Sequence, residues 1–313
     1  MVRSPLVSVI MPVHNEECWL HQSIPSILQQ TFEDFEFIII NDASTDNSLT
    51  IISEYMEQDS RIRLINNSEN LKLIETLNKG IDLANGKYIA RMDADDTSLP
   101  DRLNKQLDFL KNNPDIQLVG TGSEVINEEG NRLEITNDSY LPHILVKWCL
   151  IFKNVFTHGS ILCKSQMLKE NQYASWAVNG EDYELWARLK ERYKMARIPD
   201  ILYKRRSHFN SISHKNRMSL YKIGYTISTR QMETYIGGNF NKRLPGYLIN
   251  CKLKKNRDIG SLLKAILLLN ELLSKFREMN NLNVVEENII MSWTRRYRVK
   301  VLRKHLVNAI LRI

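Results

Sequence analysis

The chain has 313 residues, enough for one large domain or two small ones, and at 43% hydrophobic and 25% charged residues its make-up is that of a globular protein. No apolar run reaches the roughly 18 residues of a bilayer-spanning helix, the opening MVRSPLVSVIMPV lacks a small-residue cleavage site, and four scattered cysteines form no CxxC pair, so a membrane span, a secretory signal, a zinc site and a disulfide framework go unsignalled. The net charge of +7 hides an asymmetry: from Lys204 onward 23 Lys and Arg stand against 6 Asp and Glu, a balance of +17, and the part before it carries −10.

Residues 6–13 (LVSVIMPV) are short and β-branched, the form of a strand buried on both faces. Residues 18–30 follow with Leu20, Ile24, Ile27 and Leu28 at helical spacing. Residues 35–42 make a second strand, ending in Asp42. ASTDNS then supplies turn and cap chemistry before a helix resumes over 49–55. A third strand covers 61–67, and a third helix over 71–84 is broken by Asn85 and Gly86. Residues 88–93 form the fourth strand, 99–110 a helix with Leu103, Leu107 and Leu110 inward, and 116–120 a fifth strand. Strand alternating with helix in this way means βαβ crossovers and a parallel sheet. Cys18, Cys149 and Cys163 have apolar neighbours and read as core thiols.

The middle is less regular. Residues 124–135 read as a hairpin around Glu128-Glu129-Gly130-Asn131, and 156–163 as a strand. Gly180-Glu181-Asp182 opens a helix with Leu185, Trp186 and Leu189 on one face. Residues 197–208 form a strand that exits into a basic turn with His208, Ser211 and Ser213. Beyond His214 the pattern is helical. Residues 262–276 suit a buried helix, and the last helix lines up Val299, Leu302, Leu306, Ala309, Ile310 and Ile313 beside Arg295, Arg296, Arg298, Lys300, Arg303 and Lys304. That is the form of a helix lying on a membrane surface with a cationic rim, or of one packed on the core.

Chemistry concentrates in YIARMDADD, residues 88–96, an apolar run closing on Asp93, Asp95 and Asp96. Such a run is a buried strand meeting solvent at its carboxyl end, where open α/β sheets bind ligands. Neighbouring carboxylates repel, and a divalent cation removes the repulsion; hard oxygen ligands suit Mg²⁺ or Mn²⁺ carrying a phosphorylated ligand. The competing reading is an acidic cap on the next helix, with Asp96 as the cap. Asp42 ends another strand and Glu16 follows a third, so acids distant in the chain meet at one sheet edge. Neither GxGxxG nor GxxxxGK[ST] occurs, so a phosphate would be held by a metal and side chains. Glu181 and Asp182 read either as a helix-dipole pair or as a general base.

These stretches resemble the family 2 glycosyltransferases of bacterial cell-surface polysaccharide synthesis: VSVIMPVHNE (7–16), IIINDASTD (38–46), LNKGIDLANGKYIARMDADD (77–96) and LPDRLNKQLDFL (99–110), then HGSIL, EDYELWARL and YKRRSHFNSIS. The likeness covers residues 5–215. It implies the GT-A fold, an α/β architecture whose Rossmann-like, mostly parallel sheet is flanked by helices. It also implies a glycosyltransferase domain over 1–214 and a basic helical extension over 215–313. The family moves a sugar from a nucleotide diphosphate, usually UDP, with inversion. By resemblance Pro12 and Glu16 border the nucleoside, Asp42 bonds the uracil and Lys72 faces the pyrophosphate. Asp93 faces the ribose, Asp95 holds Mn²⁺ or Mg²⁺, and His208 is a further metal or phosphate contact. Asp182, of the pair Glu181-Asp182, is the general base. Where many members have Asp-Asp, this chain has Asn41-Asp42, which keeps the ring-contacting acid.

The expectation is a transferase that hands a hexose or N-acetylhexosamine to a saccharide or lipid-linked acceptor. A nucleotidyltransferase on the same sheet would need a Gly- and Arg-rich triphosphate loop, which VHNEE is not. A non-enzymatic scaffold would not need all of the acids. The basic tail interleaves few aromatics for stacking, so nucleic acid is not expected as a partner. An anionic inner leaflet is, which places the chain in the cytoplasm at the inner face of the cell membrane.

Overall fold

The computed structural model describes residues 4–136, 138–209, 211, 215–238, 240–249 and 259–310, with backbone alone at 259 and 304–310. The first half alternates as its periodicity demands: β1 (Val7–Val13), α1 (Glu17–Leu28), β2 (Phe35–Asn41), α2 (Ser48–Gln58), β3 (Ile62–Asn66), α3 (Lys72–Leu83) and β4 (Tyr88–Arg91). These four strands lie parallel in the order β3-β2-β1-β4. Successive residues face opposite layers, since strand side chains alternate. Ile10, Ile38 and Ile40 point to one apolar layer with Ile74 and Ile81 of α3, and Val9, Met11, Phe37 and Ile39 to the other with Leu20 and Ile24 of α1.

The sheet then departs from simple repetition. After β4 come β5 (Thr97–Ser98), α4 (Arg102–Asn112), β6 (Ile116–Ile126), β7 (Arg132–Thr136), α5 (His143–Cys149), β8 (Leu162–Lys164), α6 (Ser165–Lys169), α7 (Glu181–Leu189) and β9 (Lys194–Arg206). The fifth predicted strand does not extend the parallel set. β8 slots antiparallel between β4 and β6, and the order continues β8-β6-β9-β5. β9 runs parallel to β6 and antiparallel to β5. The hairpin expected over 124–135 is present, with Ser123 opposite Thr136 and Ile126 opposite Arg132.

Four local expectations are corrected. Residues 156–163 are not one strand: His158–Ser160 forms a 3₁₀ turn, and only Leu162–Lys164 pairs. The buried Arg102 guanidinium donates to the Gly159 carbonyl at 2.9 Å and holds this turn in place. Asp96 caps no helix, since α4 starts six residues later and Asp96 is turned inward. Leu107 is only half-buried, and the inward stripe of α4 carries Arg102 and Gln106 beside Leu103 and Leu110. Cys18 is exposed, because Leu20, Ile24 and Ile27 set the buried face of α1 and residue 18 falls on the other side; Cys149 and Cys163 are buried as expected.

The C-terminal helices are α8 (Arg217–Ile236), α9 (Pro245–Leu248), α10 (Ile259–Asn280) and α11 (Val284–Ile310). They share the first apolar layer with the sheet. Trp148 of α5 meets Phe276 of α10 at 5.0 Å between ring centroids, Phe152 meets Tyr297 of α11 at 5.2 Å, and the Ser228 hydroxyl donates to the Ile151 carbonyl at 2.7 Å. α11 seats Ile290, Thr294 and Val301 inward and leaves Val299 exposed. Ser213, His214 and the Leu306–Ile313 side chains lie outside the described residues, as does Cys251. Among the described residues no helix is long and apolar enough to cross a membrane.

Candidate active site

The carboxyl ends of β1, β2 and β3 form the first half of the site. Asp42 follows β2 and is buried. Its Oδ1 accepts from Asn67 Nδ2 and from the Leu71 N–H, both at 2.8 Å, and its Oδ2 accepts from the Lys72 N–H at 2.9 Å. A carboxylate at a helix N-terminus satisfies amides that would otherwise lack partners, so Asp42 fixes the start of α3 against β2. Lys79 reaches Asn67 Oδ1 at 2.6 Å, and His14 Nδ1 lies 2.8 Å from the Asp42 carbonyl. Pro12 sits in β1 opposite Ile40, half-buried below this mouth. Lys72 is exposed and holds φ at +71°, which strains a residue with a Cβ. Asn15 at +58° and Ala43 at +52° add two more strained positions at the same rim, where backbone strain commonly marks a ligand site.

The second part is built on Asp93, Asp95 and Asp96. Asp93 pairs with the buried guanidinium of Arg91, and its N–H donates to the Tyr203 hydroxyl at 3.1 Å. Tyr203 also bonds Asp96, whose Oδ1 accepts the Arg206 N–H at 2.7 Å. Burial, reinforced by the Asp95 charge, holds the Asp96 carboxyl well above its ordinary range. Gly159 lies so close to the Tyr203 ring that a Cβ there would overlap the hydroxyl, while Asp93 Oδ2 would stand 2.9 Å away. Arg102 supports the group from below, donating to the Gly159 carbonyl at 2.9 Å and to the Arg91 carbonyl at 3.0 Å.

Asp95 and His208, 113 residues apart, meet at 3.0 Å between Oδ2 and Nε2. Trp19 of α1 packs on the His208 ring at 5.4 Å, and the Arg206 guanidinium lies 4.5 Å over Trp19 while donating to the Asp95 carbonyl at 2.9 Å. Burial first, then the negative charges of Asp95, Asp46 and Asp96, push the Glu16 carboxyl up to about 8. A cation would relieve that repulsion, and a carboxylate oxygen beside an imidazole nitrogen suits Mn²⁺. Among the described residues no three His, Cys, Asp or Glu side chains gather into a complete metal site.

The third part is a cleft of about 490 Å³ that has Asp93 and Asp182 in its lining, with Asn154, Thr157, His158 and Arg205 around them and Leu220, Ile223 and Gly224 of α8 as a wall. Asp182 lies in the first turn of α7. Its Oδ2 accepts from Asn154 Nδ2 at 2.6 Å and its Oδ1 from the Tyr183 N–H at 2.7 Å. Burial raises its carboxyl above the ordinary value, and these two donors pull only partly the other way. Glu181 is not among the residues lining the cleft. Its Oε1 is 3.8 Å from His158 Nδ1, and burial, then the Asp182 charge, raise it to about 7. His158 is pushed well below its usual value by burial and Arg91, so the contact joins a neutral imidazole to a carboxyl and is no ion pair. His158 Nε2 lies 2.7 Å from the Tyr173 hydroxyl.

The structure thus gathers Pro12, Asp42 and Lys72 at one end of the strand edge, Glu16, Asp95 and His208 at its centre, and Asp93 with Asp182 in one cleft. Sequence reasoning missed Asn67, Arg91, Arg102, Asn154, Tyr203 and Arg206. Arg91, Arg102, Tyr203 and Arg206 lie within the recurring stretches, and Asn67 follows the last residue of β3, so each carried a local signal; Asn154 carried none.

Solved structures share this architecture. S. aureus TarS 1-349 in complex with UDP-GlcNAc matches with a TM-score of 0.59 at 15% identity, over 95% of this chain and 89% of that one. The mannosyltransferase PcManGT from Pyrobaculum calidifontis, in complex with GDP-Man and Mn²⁺, matches with a TM-score of 0.55 at 14% identity, over 99% and 87%. The fold is GT-A, a glycosyltransferase fold. The profile of glycosyl transferase family 2 matches residues 8–165. An uncharacterized glycosyltransferase of Methanocaldococcus jannaschii, MJ1057, is 37% identical over 230 residues, 72% of this chain and 79% of its own. The O-antigen biosynthesis glycosyltransferase WbnJ of Escherichia coli is 34% identical over 221 residues, 69% of this chain and 85% of its own. The chain belongs to glycosyltransferase family 2.

Proposed function

We propose that this glycosyltransferase moves a hexose or N-acetylhexosamine from a UDP-sugar, with inversion, to a saccharide hydroxyl in the assembly of a cell-surface polysaccharide. The observation that carries the mechanism is the shared cleft of Asp93 and Asp182. Single displacement needs a base beside the acceptor hydroxyl, opposite the leaving diphosphate. Asp182 takes that proton as the new C1–O bond forms and the bond to the diphosphate breaks. A carboxylate in apolar surroundings has the raised basicity this task asks of it. Asn154 fixes its orientation. Asp42, held by three donors, presents a rigid edge for the uracil ring beside Pro12 and Glu16; Lys72 stands exposed at the same mouth for the pyrophosphate, and Asp93 faces the ribose. Asp95 and His208 would hold Mn²⁺ or Mg²⁺, which when bound supplies charge neutralisation for the departing diphosphate. Asp182→Asn should keep UDP affinity and lose transfer; wild-type turnover in that variant would overturn the assignment.

The glycosyltransferase unit spans residues 1–214, with 215–313 as a helical extension docked on it. The acceptor is a lipid-linked saccharide met at the cytoplasmic face of the membrane. Two features support this: the relative WbnJ is described as acting in O-antigen biosynthesis, and Arg295, Arg296, Lys300 and Arg303 are exposed beside Val299 on α11. Because α11 also buries Ile290 and packs Trp293 and Tyr297 on the core, neutralising those four cations tests membrane binding better than truncation does. Retained binding of the neutralised variant to anionic vesicles at low salt refutes these cations as the membrane contact, and a wild type that does not bind such vesicles refutes the membrane role.

A further inference from the structure

α8 lies beyond the residues that the family profile covers, yet Leu220, Ile223 and Gly224 line the cleft that holds Asp182. The loop ahead of the base is seated on this helix. A Cβ on Gly180 would stand 2.8 Å from Ile223 Cγ2, and Asn179 Nδ2 donates to the Ser219 hydroxyl at 3.1 Å. Asp182 follows two residues later, so α8 sets its distance from the opposite wall.

Gly224 is the odd member. Glycine weakens a helix interior relative to alanine, and it is usually kept where a neighbour comes too close for a Cβ. No such neighbour exists here: a Cβ on Gly224 would meet nothing within 4 Å. The missing side chain therefore serves no packing contact among the described residues and leaves the cleft deep. A sugar ring has an apolar C–H face and a hydroxyl rim. Leu220 and Ile223 offer the first an apolar shelf, and Asn154 and Asn179 face the second.

We propose that α8 forms the acceptor-sugar subsite, with Leu220 and Ile223 as the shelf under the receiving ring and Gly224 as the position that sets how large that ring and its substituents can be. This rests on the transferase reading of the cleft. The test uses UDP-sugar hydrolysis as the donor readout and transfer to a panel of p-nitrophenyl glucosides, galactosides and N-acetylglucosaminides as the acceptor readout, on wild type, Gly224→Leu, Gly224→Ala and Leu220→Ala. In Gly224→Leu the KM for the best glycoside should rise at least ten times more than donor hydrolysis changes. Gly224→Ala should raise Tm and still raise acceptor KM several-fold, which guards against a folding defect in the larger variant. Leu220→Ala should raise acceptor KM with little change in kcat. Equal effects on both readouts, or none on acceptor KM, overturn the subsite. So does a wild type that hydrolyses a UDP-sugar but transfers to no glycoside of the panel. A wild type that neither binds nor cleaves any UDP-sugar overturns instead the UDP-donor reading on which the subsite rests.

Discussion

The two ends of the site handle their carboxylates in opposite ways. Asp42, at the nucleotide end, is surrounded by N–H donors: two backbone amides of α3 and the side chain of Asn67. Asp182 and Glu181, at the start of α7, have raised proton affinity because burial outweighs their donors, although Asp182 still accepts from Asn154 and from the Tyr183 N–H. The contrast teaches that one residue type does two jobs by environment alone. Held by three donors, Asp42 ties α3 to β2; at Asp182 burial outweighs the donors, which suits the base proposed for it.

The largest expected effect breaks the base end. Asp182→Asn removes the proton acceptor and keeps the shape, so turnover should fall by about 10²–10⁴-fold, measured as UDP release in the presence of acceptor, with UDP affinity held. Next is Gly159→Ala, where the added methyl would collide with the Tyr203 hydroxyl. Overpacking of this kind costs about 1–3 kcal/mol, and denaturant melts should show it together with weakened donor binding, because Asp93 hangs on Tyr203.

A smaller effect sharpens the electrostatic contrast. Glu181 is raised to about 7, so the folded state favours its protonated form. The stability this contributes is full below the ordinary carboxyl value and is lost as pH rises through about 7. Glu181→Gln should therefore gain Tm relative to wild type by several degrees more at pH 8 than at pH 5. Equal differences at both values would show that Glu181 titrates as an ordinary surface acid. At the anchored end, Asn67→Ala loses one hydrogen bond to a carboxylate, about 1.5–3 kcal/mol, comparable to Gly159→Ala; it should appear in thermal melts and in UDP affinity, with the pH profile of turnover unchanged.

Much of this was legible in the chain. β1 and β2 carry β-branched runs that close on polar residues, so both their burial and the edge where ligands bind could be read locally. Asp42, Asp93, Asp95 and Asp182 could be singled out by their places in recurring motifs, and the structure puts Asp93 and Asp182 in one cleft. What escaped depends on partners remote in sequence. The antiparallel entry of β8 is set by pairings with β4 and β6 that no local period encodes. Arg102 and Gln106 sit where a hydrophobic stripe would put apolar residues; both bond backbone carbonyls of the β4–β8 region, Gln106 reaching Val119 and Ser160 at 2.9 Å. Asn154 and Tyr203 acquire meaning only beside Asp182 and Asp93.

One pairing bears on how the protein is made. The groups that complete the Asp95 and Asp96 corner, Arg206 and His208, arrive 110 residues or more later in the chain. At translation rates of about 5–20 residues per second, the acids wait on the order of 5–20 s for β9. Through that interval the nascent nucleotide end can close around β1–β4, while its charged corner lacks the imidazole and guanidinium that complete it. A ribosome that stalls before β9 therefore leaves the Asp95 and Asp96 corner without its Arg206 and His208 partners.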